Sequence, residues 1–176
     1  VVAISDLELA SRLAFFLWSS PPDQALIDLA ARGELTDAGM LESQVERMLQ
    51  DPRAESMVEN FVFQWLRLRD LDNVDPDREI FPEYNPALLE AFREEIKLFA
   101  GSIFSADRNI LELITGDYTF LNEDLAMHYS IRDVKGDHFR RVELDNEARF
   151  GLLGTGGVLM VTSYANRTTP VIRGAY

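Results

Sequence analysis

Five apolar residues, Val58, Phe61, Val62, Trp65 and Leu66, recur at three- and four-residue steps, a spacing that lines side chains along one side of an α-helix. The same spacing returns elsewhere between capping signals, so the chain must bury helix against helix. Ser5-Asp-Leu-Glu8 reads as a capping box ahead of Leu9, Leu13, Phe16, Leu17 and Trp18. Ser20-Pro-Pro-Asp23 opens a second helix that Gly33 ends. Thr36 or Asp37 starts a third, with Leu41, Val45, Met48 and Leu49 inward, and Asp51-Pro52 closes it and begins the fourth, where Trp65 reads as a core anchor.

Asn85-Pro86 begins a long helix with Leu89, Phe92, Ile96, Phe99 and Ile103 on its apolar face to about Ser105. Asp107 or Asn109 caps a short helix carrying Ile110, Leu111 and Ile114 and ended by Gly116, and Asn122 caps another through Tyr129. From Asp70 to Tyr84 the periodicity fails and carboxylates crowd together. A calcium loop counted from Asp70 would need glycine and glutamate where Asp75 and Phe81 stand, so a solvated acidic loop pinned by Phe81 and Pro82 is the favoured reading.

Residues 139–144 alternate enough for a short strand that must lie on the helices or pair with an element outside this chain. Residues 149–161 are glycine-rich, and their leucines favour a helix with a packed small-residue face. The expected fold is mainly α, a multi-helix orthogonal or antiparallel array with a long acidic loop and at most a short β element near 138–144. Residues 1–148 read as a helical domain and 149–176 as the start of a following segment packed on it. The opening at Val1 and the uncapped end at Tyr176 suggest a piece of a larger protein.

The net charge of −13 is concentrated early: residues 1–100 carry 20 acids against 9 bases, and the remainder 10 against 8. Such a surface repels phosphate backbones, which argues against nucleic acid as a partner. Arginine outnumbers lysine 15 to 2, which favours fixed pairing with carboxylates. The longest apolar run, Leu13 to Trp18, is far below the ~18 residues of a bilayer-spanning helix. Without cysteine the chain has no thiolate chemistry and no C-x-x-C-H haem attachment.

Residues 117–129, DYTFLNEDLAMHY, hold one of the two histidines together with two tyrosines and three carboxylates. His128 lies four residues after Asp124, so the carboxylate can orient the imidazole, with Asp117 and Tyr118 approaching from the loop. Asp117 and His128 are thus the candidate acid–base pair, and a capped structural histidine is the alternative. Tyr118, Asn122, Arg167 and Arg173 are the candidate ligand-binding residues. The two arginines either clamp an anionic or sugar substrate or pair with the acidic first part. No metal site is expected, since no second histidine stands at H-E-x-x-H spacing, and Ser163 has no nucleophile-elbow context.

The phrases LASRLAFFLWSSPPD, LQDPRAESMVENFVFQWLRLRDLD, DYTFLNEDLAMHY and RTTPVIRG, in this order, resemble the planctomycete-type cytochrome-c-associated domain of unknown function 1592. The last segment resembles the start of the domain of unknown function 1588. The resemblance implies a periplasmic or otherwise extracytoplasmic multidomain parent with haem c in a separate module, no cofactor within this chain, and a cytochrome c module as partner. It implies an accessory or scaffold role and carries over no catalytic residues. The alternative is an extracytoplasmic hydrolase or oxidoreductase acting on a polymer or carbohydrate through the Asp117, His128, Arg167 and Arg173 groups.

Overall fold

The computed structural model describes residues 4–176. The protein is mainly α, with two short two-stranded antiparallel sheets among the described residues, and the chain divides into two compact units, Val1–Phe61 and Val62–Tyr176. No helix among the described residues is long and apolar enough to cross a membrane.

In the first unit, α1 (Asp6–Trp18) starts at the expected capping box: the Ser5 hydroxyl accepts from the Glu8 amide and Glu8 accepts from the Ser5 amide. The buried stripe is Ala10, Ala14, Leu17 and Trp18, whereas Phe16 is 60% exposed. α1 packs against α2 (Gln24–Arg32). Asp23 caps α2 at the Leu26 amide, and Gly33 ends it with a left-handed φ of 72°. The third helix, α3 (Met40–Leu49), begins later than expected, behind Gly39. Thr36 does not cap it because its hydroxyl donates instead to Asp6, whose other oxygen receives the Leu35 amide.

Trp18 locks this unit. Its indole N–H donates to the Met48 carbonyl at 2.9 Å, and the Arg53 guanidinium lies 3.5 Å from the ring centroid. Asp23 adds a fork to Arg47 at 2.7 and 3.2 Å, and that guanidinium, helped by the Leu26 amide, holds the Asp23 carboxyl below its ordinary value of 3.8. A depressed carboxylate contributes stability above its unfolded pKa and loses it as pH falls through the folded one. Asp23→Ala is therefore expected to lower stability by about 1–2 kcal/mol near neutral pH and by progressively less below about pH 4, as read by urea unfolding.

A 3₁₀ turn, Pro52–Ala54, capped by Asp51, leads into α4 (Glu55–Met57), a π-helical turn at Val58–Val62, and α5 (Phe63–Trp65). Here the sequence pattern and the structure part. Val58, Val62 and Leu66 are buried, but Phe61 and Trp65 are 48% and 56% exposed, so Trp65 is not a core anchor. A π turn winds more residues per turn than an α-helix. Residues four apart therefore stay on one side, while those three apart swing away from it.

The second unit is organised around α6 (Pro86–Phe104), capped by Asn85 at the Leu88 amide. Leu89, Phe92, Ile96, Phe99 and Ile103 are all buried on it, as expected, and Leu88 is buried with them. Before it, residues 68–73 form a 3₁₀ helix that buries Leu68 and Leu71, so local order extends further into the acidic segment than its periodicity suggested. Two of the carboxylates there are ion-paired, Asp70 with Arg67 at 2.9 Å and Asp72 with Arg93 of α6 at 2.6 Å. Phe81 is half-buried and Pro82 exposed.

α7 (Glu112–Thr115) is one turn long and buries Leu113, leaving Ile110, Leu111 and Ile114 exposed, the reverse of the expected face. Its inner side is filled by backbone. Gly151 sits against the Leu113 and Ile114 carbonyls, and its N–H donates to Gly116 O at 2.9 Å.

The strand expected near 139–144 is present as β2 (Arg140–Glu143), and its partner lies within the chain. β1 (Tyr118–Leu121) pairs with it antiparallel, Tyr118 opposite Glu143 and Leu121 opposite Arg140. The DYTF stretch, read as a connection, supplies that edge, so no outside element is required. α8 (Glu123–His128) follows, capped by Asn122, and Glu123 holds the next loop through Lys135 Nζ at 2.9 Å and the Gly136 amide at 2.8 Å.

The glycine-rich stretch forms a 3₁₀ turn at Leu152–Gly154 and then α9 (Gly156–Val161). Gly156 and Gly157 rest on Phe92 and Ile96 of α6 where a Cβ would overlap them, the small-residue packing expected from the sequence. A hairpin of β3 (Ser163–Tyr164) and β4 (Arg167–Thr168) and the short α10 (Pro170–Ala175) complete the chain.

Candidate functional site

Leu88, Phe92, Glu95 and Phe99 follow one another along α6 at helical spacing, so Glu95 falls inside a stripe that is otherwise apolar. Its side chain is 1% exposed. A carboxyl group there needs partners, and the neighbouring elements provide them. Thr119 of β1 donates its hydroxyl to Oε1 at 2.7 Å, and Tyr129, just past α8, donates to Oε2 at 2.6 Å. The tyrosine oxygen in turn accepts the Gly156 amide at the start of α9, also at 2.6 Å. Arg149 lies 4.2 Å over the Tyr129 ring.

Burial pushes the Glu95 carboxyl from 4.5 up to about 7. The two hydroxyl bonds and the Arg149 charge pull the other way because they favour the ionised form. Tyr129 is raised well above its ordinary value, first by burial and then by the Glu95 charge. The cluster therefore joins α6, β1, α8 and α9 through one group that changes charge near neutral pH.

On the outer side of Gly156 lies a cleft of about 330 Å³. Its walls are chiefly apolar, with Phe81, Tyr84, Leu88, Phe92, Leu159 and Met160, and its acidic and basic side chains are Glu83, His128, Arg149 and Arg167. Glu95 and Tyr129 stand behind the wall, not in it. His128 packs edge-on against Phe92 with ring centroids 5.4 Å apart. Loss of hydration at the cleft holds its pKa below 6.5; Glu83 opposes that shift and Arg149 reinforces it.

The candidate residues from the sequence are divided by this geometry. His128 and Arg167 line the same cleft, Arg167 lying 5.3 Å from the Tyr164 ring centroid. Asp117 is exposed at the start of β1, where its carbonyl accepts the Leu144 amide at 2.7 Å, and its side chain does not line the cleft. Arg173 is exposed on α10 and does not line it either. No hydrogen bond joins Asp124 to His128.

Tyr118 is buried, its hydroxyl 3.1 Å from Ser102 Oγ and its ring flanked by Arg108 and Arg141 at 4.9 and 4.1 Å. The Asn122 side chain caps α8 at the Leu125 amide. Sequence reasoning missed Glu95, Thr119, Tyr129 and Arg149. The one available signal was the glutamate at a buried helical position.

No curated protein and no solved structure matches this chain. Residues 4–131, well over half of its length, match the family described as protein of unknown function (DUF1592). They include α1 with its capping box, the π turn, α6 with Glu95, and α8 through Tyr129. The chain therefore belongs to that family.

Proposed function

We propose that the chain is an accessory helical domain of an exported redox protein, docking a basic c-type cytochrome module carried elsewhere in the same or a partner protein. The observation that supports this most directly is charge. The net charge is −13, and in the first unit Arg32, Arg47 and Arg53 are already committed to Glu34, Asp23 and Asp51. Carboxylates consequently dominate what a partner meets, a field that accelerates encounter with a positive surface and weakens as salt screens it. With no cysteine in the chain, thioether-bound haem belongs to the other module.

The measurement is association with the parent cytochrome module across ionic strength. Affinity is expected to fall on the order of tenfold or more between low and physiological salt, mainly through a slower on-rate. An affinity indifferent to salt removes the docking reading. The rival catalytic reading required Asp117, His128, Arg167 and Arg173 at one pocket, and only His128 and Arg167 line the same cleft.

A further inference from the structure

We infer that the cleft of the second unit is a binding site for a small amphipathic monocarboxylate, with a flat apolar body and one anionic head. Its volume of about 330 Å³ lies at the lower end of what small-molecule sites enclose. Phe81, Leu88, Phe92 and Met160 supply an apolar wall on which an aromatic or short acyl body gains by leaving water. A sugar or other wholly polar ligand would desolvate against that wall without compensation.

The head is identified by charge. Several arginines of this acidic chain are taken up by carboxylates, as in Arg47 with Asp23, Arg53 with Asp51, Arg93 with Asp72 and Arg108 with Glu112. The two arginines of the cleft are not. Arg149 lies over the Tyr129 ring and donates to the Gly154 carbonyl at 3.3 Å, and Arg167 lies by the Tyr164 ring. Neither has an acidic partner within ion-pair distance among the described residues.

A guanidinium held beside an aromatic ring with N–H groups left over is partly pre-oriented for a carboxylate. Among the described residues Glu83 is the only carboxylate lining the cleft. Against two guanidiniums, and with the Arg149 charge also acting on Glu95 behind the wall, it leaves room for no more than one negative charge and penalises a dianionic phosphate. Loss of hydration lowers the His128 pKa, which favours its neutral form and adds no fixed charge to this balance.

The site is independent of cytochrome docking, and its test uses the whole chain with two probes of one shape, naphthalene-1-carboxylate and the neutral naphthalene-1-carboxamide. Calorimetric titration near neutral pH is expected to show the carboxylate binding at least about tenfold more tightly than the amide. Arg167→Gln should abolish that preference while leaving amide binding unchanged, and Glu83→Gln should strengthen carboxylate binding. Both positions are exposed, so both variants retain the fold, as circular dichroism will verify. Equal affinity for the two probes, an Arg167→Gln variant that binds the carboxylate as before, or no binding of either at millimolar concentration would each overturn the assignment.

Discussion

Glu95→Gln is expected to stabilise the protein above about pH 7 and to remove a stability loss that the parent chain suffers between its unfolded and folded carboxyl pKa values, 4.5 and about 7. The sign follows from proton binding. As pH rises through this window the unfolded chain releases the Glu95 proton while the folded chain retains it, so stability falls, and it levels off once both forms are ionised. A separation of that size corresponds to about 3 kcal/mol. Glutamine keeps the shape and carries no charge, so the variant should lack this slope.

His128 acts in the opposite sense over part of the same range. Its folded pKa is depressed below 6.5, so it contributes stability that is lost as pH falls. That term is common to both proteins and cancels in the comparison. Denaturant unfolding of the two proteins at several pH values reads the difference directly. Parallel profiles would show that the buried carboxyl does not titrate in this range.

Gly151→Ala should produce a large loss for a single-methyl substitution. Gly151 has φ 61° and ψ −174°, a region that is essentially glycine-only. A Cβ there would also overlap the Ile114 carbonyl and, at 2.6 Å, the Leu113 carbonyl oxygen. These are backbone atoms that cannot rotate aside. Conformational strain and overpacking together are expected to cost roughly 3 kcal/mol or more and to lower Tm on the order of 10 °C.

Gly33 is the internal comparison. It also has positive φ, 72°, but nothing lies within 4 Å of an added Cβ. Gly33→Ala should therefore cost only about 1–2 kcal/mol. If the two alanine variants melt together, the close approach between Gly151 and the α7 backbone makes no difference to stability.

Much of the helical framework was readable because helix starts depend on local chemistry. Ser5 with Glu8, Asp23, Asn85 and Asn122 each cap the helix assigned to them, and the long stripe of α6 is buried as its spacing demands. What escaped depends on partners distant in sequence. Nothing near Val58–Val62 announces a π turn, so α-helical spacing placed Phe61 and Trp65 inside when they lie outside. β1 was unreadable as a strand because four residues acquire that identity only by pairing with Arg140–Glu143.

The candidate site was legible only in part, for the same reason. His128 and Arg167 were selected by residue type and do share a cleft. Glu95 receives its character from Thr119 and Tyr129, 24 and 34 positions away, and residue type alone marks a helical glutamate as solvent-facing.

The hydroxyl of Tyr129 accepts the amide of Gly156, which places that donor 25 residues past the end of the stretch that defines the family, residue 131. Shortening the protein to the matched stretch would strip β1 of its ladder neighbour β2, uncover Phe92 and Ile96 where α9 now presses, and remove the donor to the Tyr129 oxygen. The piece that sequence comparison recognises is thus smaller than the piece able to close its own interior.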